Sequence, residues 1–313
     1  MTDDHGMTDG HEMTDGDWRD FSLGALVPEQ LIHYVRGMSD MRPLRVGPCL
    51  GWRQGGHLVL AAFPLTEPPF GPAERRSIEE AAALAASLPW VRHLVVLAPF
   101  RPRCAPPSAH CHEDACWSVP LPVAPPRGKL GNQIRRALRD IRIEQHGAEG
   151  WTGEHEDLVL EAGRRLQNQP GERALSDASA LLFTRIGHYL RTAGPAARCY
   201  SARRLSDGSL CALAVADHAA YATAFYLFAF RSPDAPPGTA DALLLALLEE
   251  AARRGQRRCN LGLGIHDGIR FFKRKWLAEP WLPLVECAWD VPAPSRPAPL
   301  ARLLTFLRGD RKA

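Results

Sequence analysis

The sequence predicts an α/β protein built on a mixed β-sheet, in two unequal halves. Three observations carry that expectation. Short apolar runs bounded by Gly, Pro or Asp alternate with longer segments of helical periodicity, which is the pattern of helices packed on a sheet. The final third reads in the order β-β-β-α-β-α-β. Between the halves, residues 120–127 contain four prolines, a composition that marks a boundary or a stiff crossing.

Residues 1–16 repeat Met-Thr-Asp at Met1, Met7 and Met13 in an acidic, Gly-rich segment without core-forming residues, so a disordered tail is expected there. From Trp18 the pattern is globular. Residues 44–46, 50–52 and 57–63 read as strands, with Gln54-Gly55-Gly56 as a hairpin turn. Residues 73–88 are rich in alanine and stop at Pro89, as a helix does, and 91–98 reads as a buried strand. Residues 17–120 thus make the smaller α/β half.

In the larger half, 127–292, Leu130, Ile134, Leu138 and Ile141 share one helix face while Arg135, Arg139 and Arg142 form another stripe. Two more helices are expected over 154–168 and 177–191. Strands 197–205 and 210–216 are joined by the Ser206-Asp207-Gly208 turn, and 220–231 is a third strand dense in aromatics. A helix follows over 239–254, closed by Gly255. Its apolar run 243–248 implies burial on more than one side. Strand 258–263, a short basic helix over 268–276 and strand 284–289 complete the half. Residues 293–313 read as a C-terminal tail with a short helix at 300–307.

The 313 residues are 45% hydrophobic and 23% charged, enough to build a core and too apolar for a disordered chain. A net charge of +3 is too small for a nucleic-acid coat protein, and no DNA partner is expected. No uninterrupted apolar run approaches the roughly eighteen residues of a membrane span. The most apolar stretch, 211–230, holds Asp217 and His218 and reads as two buried strands. The N-terminus is acidic where a signal peptide is basic and then apolar, so a soluble, cytoplasmic protein is expected.

Of the eight cysteines, Cys199, Cys211, Cys259 and Cys287 lie in strand-like runs and read as small core residues. Cys104, Cys111 and Cys116, with His110 and His112, form the one cluster of zinc-ligand type. Their spacing matches no common zinc template, and Pro106, Pro107 and Ser108 equally mark an ordinary surface loop. A G-x-S-x-G elbow, a P-loop and H-E-x-x-H are all missing. Gly262-Leu263-Gly264 follows a strand, but Asp267 stands where a dinucleotide fingerprint has its third glycine. His266-Asp267 reads either as an acid/base pair or as a helix start capped by Asp267.

The stretch from Asn260 to Trp276, together with the three strands and the helix before it, resembles the GCN5-related N-acetyltransferase (GNAT) superfamily. More narrowly, it is similar to the Fem-type branch, whose peptidoglycan members take amino acids from aminoacyl-tRNA. Phe272-Lys273-Arg274-Lys275-Trp276 matches that branch's Phe-Lys-x-x-Phe/Trp, with Leu277-Ala278 in place of the glycine that usually follows. The resemblance spans 127–292, which implies a complete GNAT-like copy there. Over 17–120 it implies a smaller, degenerate second copy. The branch's coiled-coil insertion has no counterpart.

The resemblance implies transfer of an acyl or aminoacyl group from an activated ester or thioester to a small-molecule or peptide-like amine acceptor. The donor, acyl-CoA or the end of an aminoacyl-tRNA, would be a substrate, so no tightly bound cofactor and no metal are expected. Phe272 and Lys273 match the pair that lies beside the donor's acyl group. Lys273 would stabilise an oxyanion and Phe272 would exclude water; on their own chemistry they read equally as a solvated lysine and a core aromatic. Arg231, Gly238, Thr239 and Ala240 align with the loop that holds a CoA pyrophosphate. Pro233, Pro236 and Pro237 remove amides from that loop, and Asp234 and Asp241 add negative charge. Asn260, Gly262 and Gly264 would let the acyl chain approach the strand edge. Arg135, Arg139, Arg270 and Arg274 are candidates for contacting an anionic substrate, or are solvated helix faces. A GNAT-like fold acting as an inert binding or scaffold protein is the competing function class.

Overall fold

The computed structural model describes residues 15–168 and 181–292. The tails expected over 1–14 and 293–313, with the helix expected at 300–307, lie outside these residues, as does 169–180, where the helix expected over 177–191 begins.

Eleven strands form one continuous sheet. The N-terminal half contributes β1 (Arg42–Val46), β2 (Cys49–Gln54), β3 (His57–Ala61), β4 (His93–Ala98) and β5 (His110–Pro120). The C-terminal half contributes β6 (Ile141–His146), β7 (Ala197–Arg204), β8 (Leu210–Asp217), β9 (Thr223–Arg231), β10 (Arg258–Leu263) and β11 (Glu279–Asp290). Their order is β1-β2-β3-β4-β11-β5-β10-β9-β8-β7-β6. Pairing is antiparallel except for β3 with β4 and β9 with β10. The helices are α1 (Asp15–Leu23), α2 (Ile32–Met38), α3 (Pro72–Ser87), α4 (Gly128–Asp140), α5 (Gly153–Gln167), α6 (Ile186–Ala193), α7 (Thr239–Arg253) and α8 (Asp267–Lys275). None of the described helices is long and apolar enough to cross a membrane.

The halves are stitched at the centre of the sheet by an exchange of strands. β11, last in the chain, pairs with β4, and its Val285, Cys287 and Trp289 join the core of Ile78, Leu94 and Val96. β5 pairs with β10, and its Trp117 and Val119 enter the core formed by Leu243, Leu247 and Cys259. α7 is buried on several sides: Leu243, Leu244, Leu247 and Leu248 are all 1% exposed or less, because the helix packs against both the sheet and α4.

The structure departs from expectation in three places. β5 occupies the stretch read as a loop around a zinc cluster. Its first residues, His110, His112 and Glu113, lie on the exposed end of the strand and mask the apolar alternation of 116–119. Cys111 stands directly opposite Cys287 in the β5–β11 ladder and forms a disulfide with it, with 4.2 Å between their Cα atoms. The Cys104, Cys111, Cys116 zinc cluster is therefore not assembled, and Cys287 is not simply a core thiol. The amphipathic helix stops at Asp140, and Ile141 is already extended. Arg142 thus belongs to edge strand β6, where it pairs with Glu144 at 2.9 Å, and the Arg135–Arg139–Arg142 stripe is broken. Leu138, expected on the apolar face, is exposed; Gly131, Ile134 and Ala137 form the buried face instead. Finally, α1 and α2 precede the first strand where no helix was expected.

Candidate functional site

β9 and β10 pair in parallel over only three residues, Thr223–Phe225 against Arg258–Asn260, and then part. The local cause is a bulge in β10 on its other edge, facing β5, between Asn260 and Leu263. Gly262 takes a φ of +75°, a conformation open to glycine, and its N–H donates to the Asn260 side-chain oxygen at 2.7 Å. The Asn260 amide donates in turn to the Leu26 carbonyl at 3.0 Å, which ties the N-terminal segment to the bulge. Beyond this fork lies a cavity of about 610 Å³. Its wall is mostly apolar, with Leu213, Leu227, Phe230, Leu243, Leu261 and Phe272, and its polar side chains are Tyr226, Arg231, His266 and Lys273.

Lys273 is 4% exposed. Its ammonium donates to the Gly262 and Leu263 carbonyls, both at 2.6 Å, which leaves one N–H of three. Burial pulls its pKa down to about 8, a fall that Cys116 and Asp114 limit. It is thus not one of the solvated cations of a basic helix. Phe272 packs on the core with one side and lines the cavity with the other. His266, not Asp267, caps α8: its Nδ1 accepts the Ile269 N–H at 3.3 Å. A neutral His266 therefore carries its proton on Nε2 and is placed to donate rather than to act as a base there. Asp267 is exposed and pairs with Arg270 at 3.0 Å.

The remaining expected residues divide. Arg231, Ala240 and Gly262 line the cavity. Gly238, Thr239, Asn260 and Gly264 do not. Gly238 has a φ of +93° and lies so close to α4 that a Cβ would sit 2.5 Å from the Gln133 carbonyl. Thr239 is buried with its hydroxyl donating to Pro236 O at 2.7 Å. Asn260 is spent on the bulge, and Gly264 faces Trp117 and Asp114. Arg135, Arg139, Arg270 and Arg274 also lie outside the wall. Arg135 bonds Asn132, and Arg274 stacks over Trp117 at 5.6 Å. The negative charge expected at the loop is neutralised, since Asp234 pairs with Arg204 at 2.7 Å and the buried Asp241 accepts from Lys275 (2.7 Å) and Trp276 (3.0 Å). Sequence reasoning missed Tyr226, whose phenol burial keeps protonated. The aromatic density of β9 was its only signal.

Among the described residues, His146, His155 and Cys199 form one group close enough to hold a metal, with donor atoms within 4.8 Å of one another. The Ser201 hydroxyl already stands between the imidazoles, 2.8 Å from His146 Nε2 and 2.9 Å from His155 Nε2. The Thr152 N–H donates to His155 Nδ1 at 3.1 Å, so His155 donates to Ser201 through Nε2. His146 Nδ1 donates to Gly147 O at 2.9 Å, so its Nε2 accepts the Ser201 proton. Burial pushes the Cys199 thiol up to about 12, far from the thiolate a metal binds. The group is a closed hydrogen-bonded hub.

No protein-family model and no curated protein sequence matches the chain. Solved structures do match. A conserved protein of unknown function from Bacteroides thetaiotaomicron is 13% identical, with 87% of this chain and 95% of that one covered and a TM-score of 0.57. FemX is 12% identical over 94% and 99% of the two chains, with a TM-score of 0.56. The C-terminal domain of a putative lysylphosphatidylglycerol synthetase from Agrobacterium fabrum is 16% identical over 93% and 96%, with a TM-score of 0.51. Along nearly its whole length the chain shares the fold of FemX, and that fold is GNAT-like.

Proposed function

We propose that the chain is an acyltransferase, moving an acyl or aminoacyl group from an activated ester or thioester to an amine in the cavity at the β9–β10 fork. The observation that carries this reading is Lys273, a buried ammonium with one free N–H in the wall of an apolar cavity. The donor's acyl chain lies against Leu261 and Phe272 with its carbonyl oxygen toward Lys273. The amine attacks the carbonyl carbon, and the tetrahedral oxyanion draws on the free Lys273 N–H in a site that excludes water. Collapse breaks the bond to the ribose hydroxyl or thiol of the donor, which leaves with a proton, and the amide is released.

Between donors, the loop before α7 favours an aminoacyl-tRNA end over acyl-CoA. Three of its residues are prolines, Gly238 is pressed against α4 and Thr239 is buried, so few amides are left for a pyrophosphate. The acyl acceptor is a small-molecule or peptide-like amine. A second reading, an inert binding protein, draws on the same Lys273: two of its three donors already hold the β10 bulge, as a purely structural lysine would. Thermal-shift titration with acetyl-CoA, CoA and a non-hydrolysable aminoacylated tRNA end separates these readings, because a ligand of the native state raises the melting temperature. A rise with the aminoacylated end alone supports the proposal, and a rise with CoA reassigns the donor. No rise with any of them supports the inert reading.

A further inference from the structure

A second cavity, of about 510 Å³, adjoins the one at the fork. Ala162 and Leu166 of α5, Phe230 of β9 and Pro233 give it an apolar wall, and Arg165 and Arg231 are its charged side chains. The two cavities share Ala229, Phe230 and Arg231, so they meet along the end of β9.

The fork cavity reaches both faces of the sheet. Along β8, Ala212 and Ala214 enter the core that holds α7, while Leu213 and Val215 enter the core that holds α5 and α6. Leu243 and Leu261 of the fork cavity belong to the first core, and Leu213 and Phe230 to the second. The second cavity lies on the α5 face, where Ala162 and Phe230 share a core. The donor's acyl chain, placed against Leu261 and Phe272, occupies the α7 face. The α5 face is left for the amine.

Neither arginine of the second cavity has a carboxylate within hydrogen-bond reach. Arg231 is exposed, and its guanidinium makes no hydrogen bond or ion pair among the described residues. Arg165 donates through Nη2 to the Arg231 carbonyl at 2.7 Å, which holds the two residues together. Its Nε–H is buried without a hydrogen-bond partner. Glu161 Oε1 stands 3.8 Å from that nitrogen, too far for a hydrogen bond, and its side chain is turned to solvent. Asp234 is already taken by Arg204. A buried donor without an acceptor, beside a free guanidinium, calls for an oxyanion, which arginine grips through two N–H groups at once.

The spacing from the reaction centre follows from the strands. Continuing the register of Asn260 opposite Phe225 sets Gly262 and Leu263, whose carbonyls hold Lys273, level with Leu227 and Phe228. Arg231 lies three to four residues further along β9, about 10–13 Å at roughly 3.3 Å per residue. We propose that the second cavity anchors the acceptor, binding through Arg165 and Arg231 a carboxylate or phosphate that the acceptor carries about 10 Å from its nucleophilic amine. The apolar wall takes the part that joins the two ends. Arg231, expected to hold the donor, thus serves the acceptor. This rests on the transfer reading and adds to it an acidic acceptor of set length.

The experiment is calorimetric titration of the full chain with ω-aminooctanoate, with ω-aminooctyl phosphate, and with octylamine, which has the chain and the amine but no anion. Wild type is expected to bind one of the anionic probes at least about tenfold more tightly than octylamine, and the tighter of the two names the anion. Glycine, whose amine and carboxylate are too close together to span the gap, should bind no better than octylamine. Arg165→Gln and Arg231→Gln are each expected to weaken the anionic probe about tenfold and to leave octylamine unchanged. Arg231 is exposed, so its variant should melt as wild type does, which separates lost binding from lost folding. The proposal is overturned if octylamine or glycine binds as tightly as the anionic probes, or if either variant binds them as wild type does. It is also overturned if the variants weaken CoA or the aminoacylated tRNA end equally, which would make this a donor site. The transfer reading fails separately, when no donor end raises the melting temperature whatever the anionic amines do.

Discussion

The imidazole of His33 donates to the carboxylate of Asp217 at 2.5 Å across 184 residues of sequence. Asp217 ends β8 and is fully buried; His33 lies on α2 of the N-terminal half. The same carboxylate accepts from Tyr189 of α6 at 2.6 Å and from the Ala219 N–H at 2.8 Å. One buried charge therefore gathers α2, α6 and β8. Burial alone would push its pKa up, but the bonds from His33, Tyr189 and the Ala219 N–H outweigh this and hold it below the ordinary aspartate value.

Asp217→Asn should accordingly destabilise the fold by about 3 kcal/mol, the usual cost of breaking a buried charged pair. The sign for wild type follows from the depressed pKa. The contribution is complete above the unfolded aspartate value and is lost as pH falls through the lower folded one. Denaturant unfolding at neutral pH measures the loss, and a variant as stable as wild type would show that α2 is held by apolar packing alone.

The Ser201 hub makes a separate acid response. His155 is 1% exposed, and burial, with smaller contributions from His146 and Arg203, lowers its pKa to about 4. The unfolded histidine protonates near 6.5, so between pH 6.5 and 4 the unfolded chain binds a proton that the folded chain refuses. Stability is therefore full above about 6.5 and declines by up to roughly 3 kcal/mol as pH falls to about 4. This window lies above that of Asp217, and His155→Gln should flatten the melting-temperature profile within it. An equally steep profile in the variant would place the acid sensitivity elsewhere.

The Cys111–Cys287 bond predicts a thiol count. Thiol titration of the denatured, unreduced chain should find six reactive cysteines rather than eight. The bond joins β5 to β11, the two exchanged strands, and closes a separation of 176 residues. Reduction, or Cys111→Ser, should cost about 2–4 kcal/mol. Eight titratable thiols would show that the bond does not form under those conditions.

Part of the C-terminal half was legible from segments such as β8, an apolar run that follows the Ser206-Asp207-Gly208 turn and is buried at every residue after Leu210. β5 was not, because half of it is exposed and carries His110, His112 and Glu113. Ile141 misled for the opposite reason: its spacing from Leu138 completes a helical stripe, yet its partner is Arg204 across a sheet edge. The fork was legible in part. Gly262, Phe272 and Lys273 could be singled out by resemblance, but not the role of Asn260, whose bond partner Leu26 lies 234 residues away. Nor does a lysine among Arg270, Arg274 and Lys275 announce that it alone is buried. That depends on two carbonyls freed by the β10 bulge.

That burial yields a pH signature for the proposed chemistry. With a pKa of about 8, Lys273 is charged at neutral pH and loses its charge just above it, where an exposed lysine would not. If its ammonium stabilises the oxyanion, the transfer rate at saturating donor should fall as pH rises through about 8, tenfold per unit beyond it. Lys273→Met, which keeps much of the volume and none of the charge, should lower kcat by roughly two to three orders of magnitude with KM little changed. A lysine that only holds the bulge would behave otherwise. Its loss would lower the melting temperature and raise KM by loosening the fork, while the basic limb of the wild-type profile would be absent. The decisive measurement is thus the pair of kcat–pH profiles, wild type and Lys273→Met, taken with a melting curve of each. A basic limb that persists unchanged in the variant removes Lys273 from the mechanism.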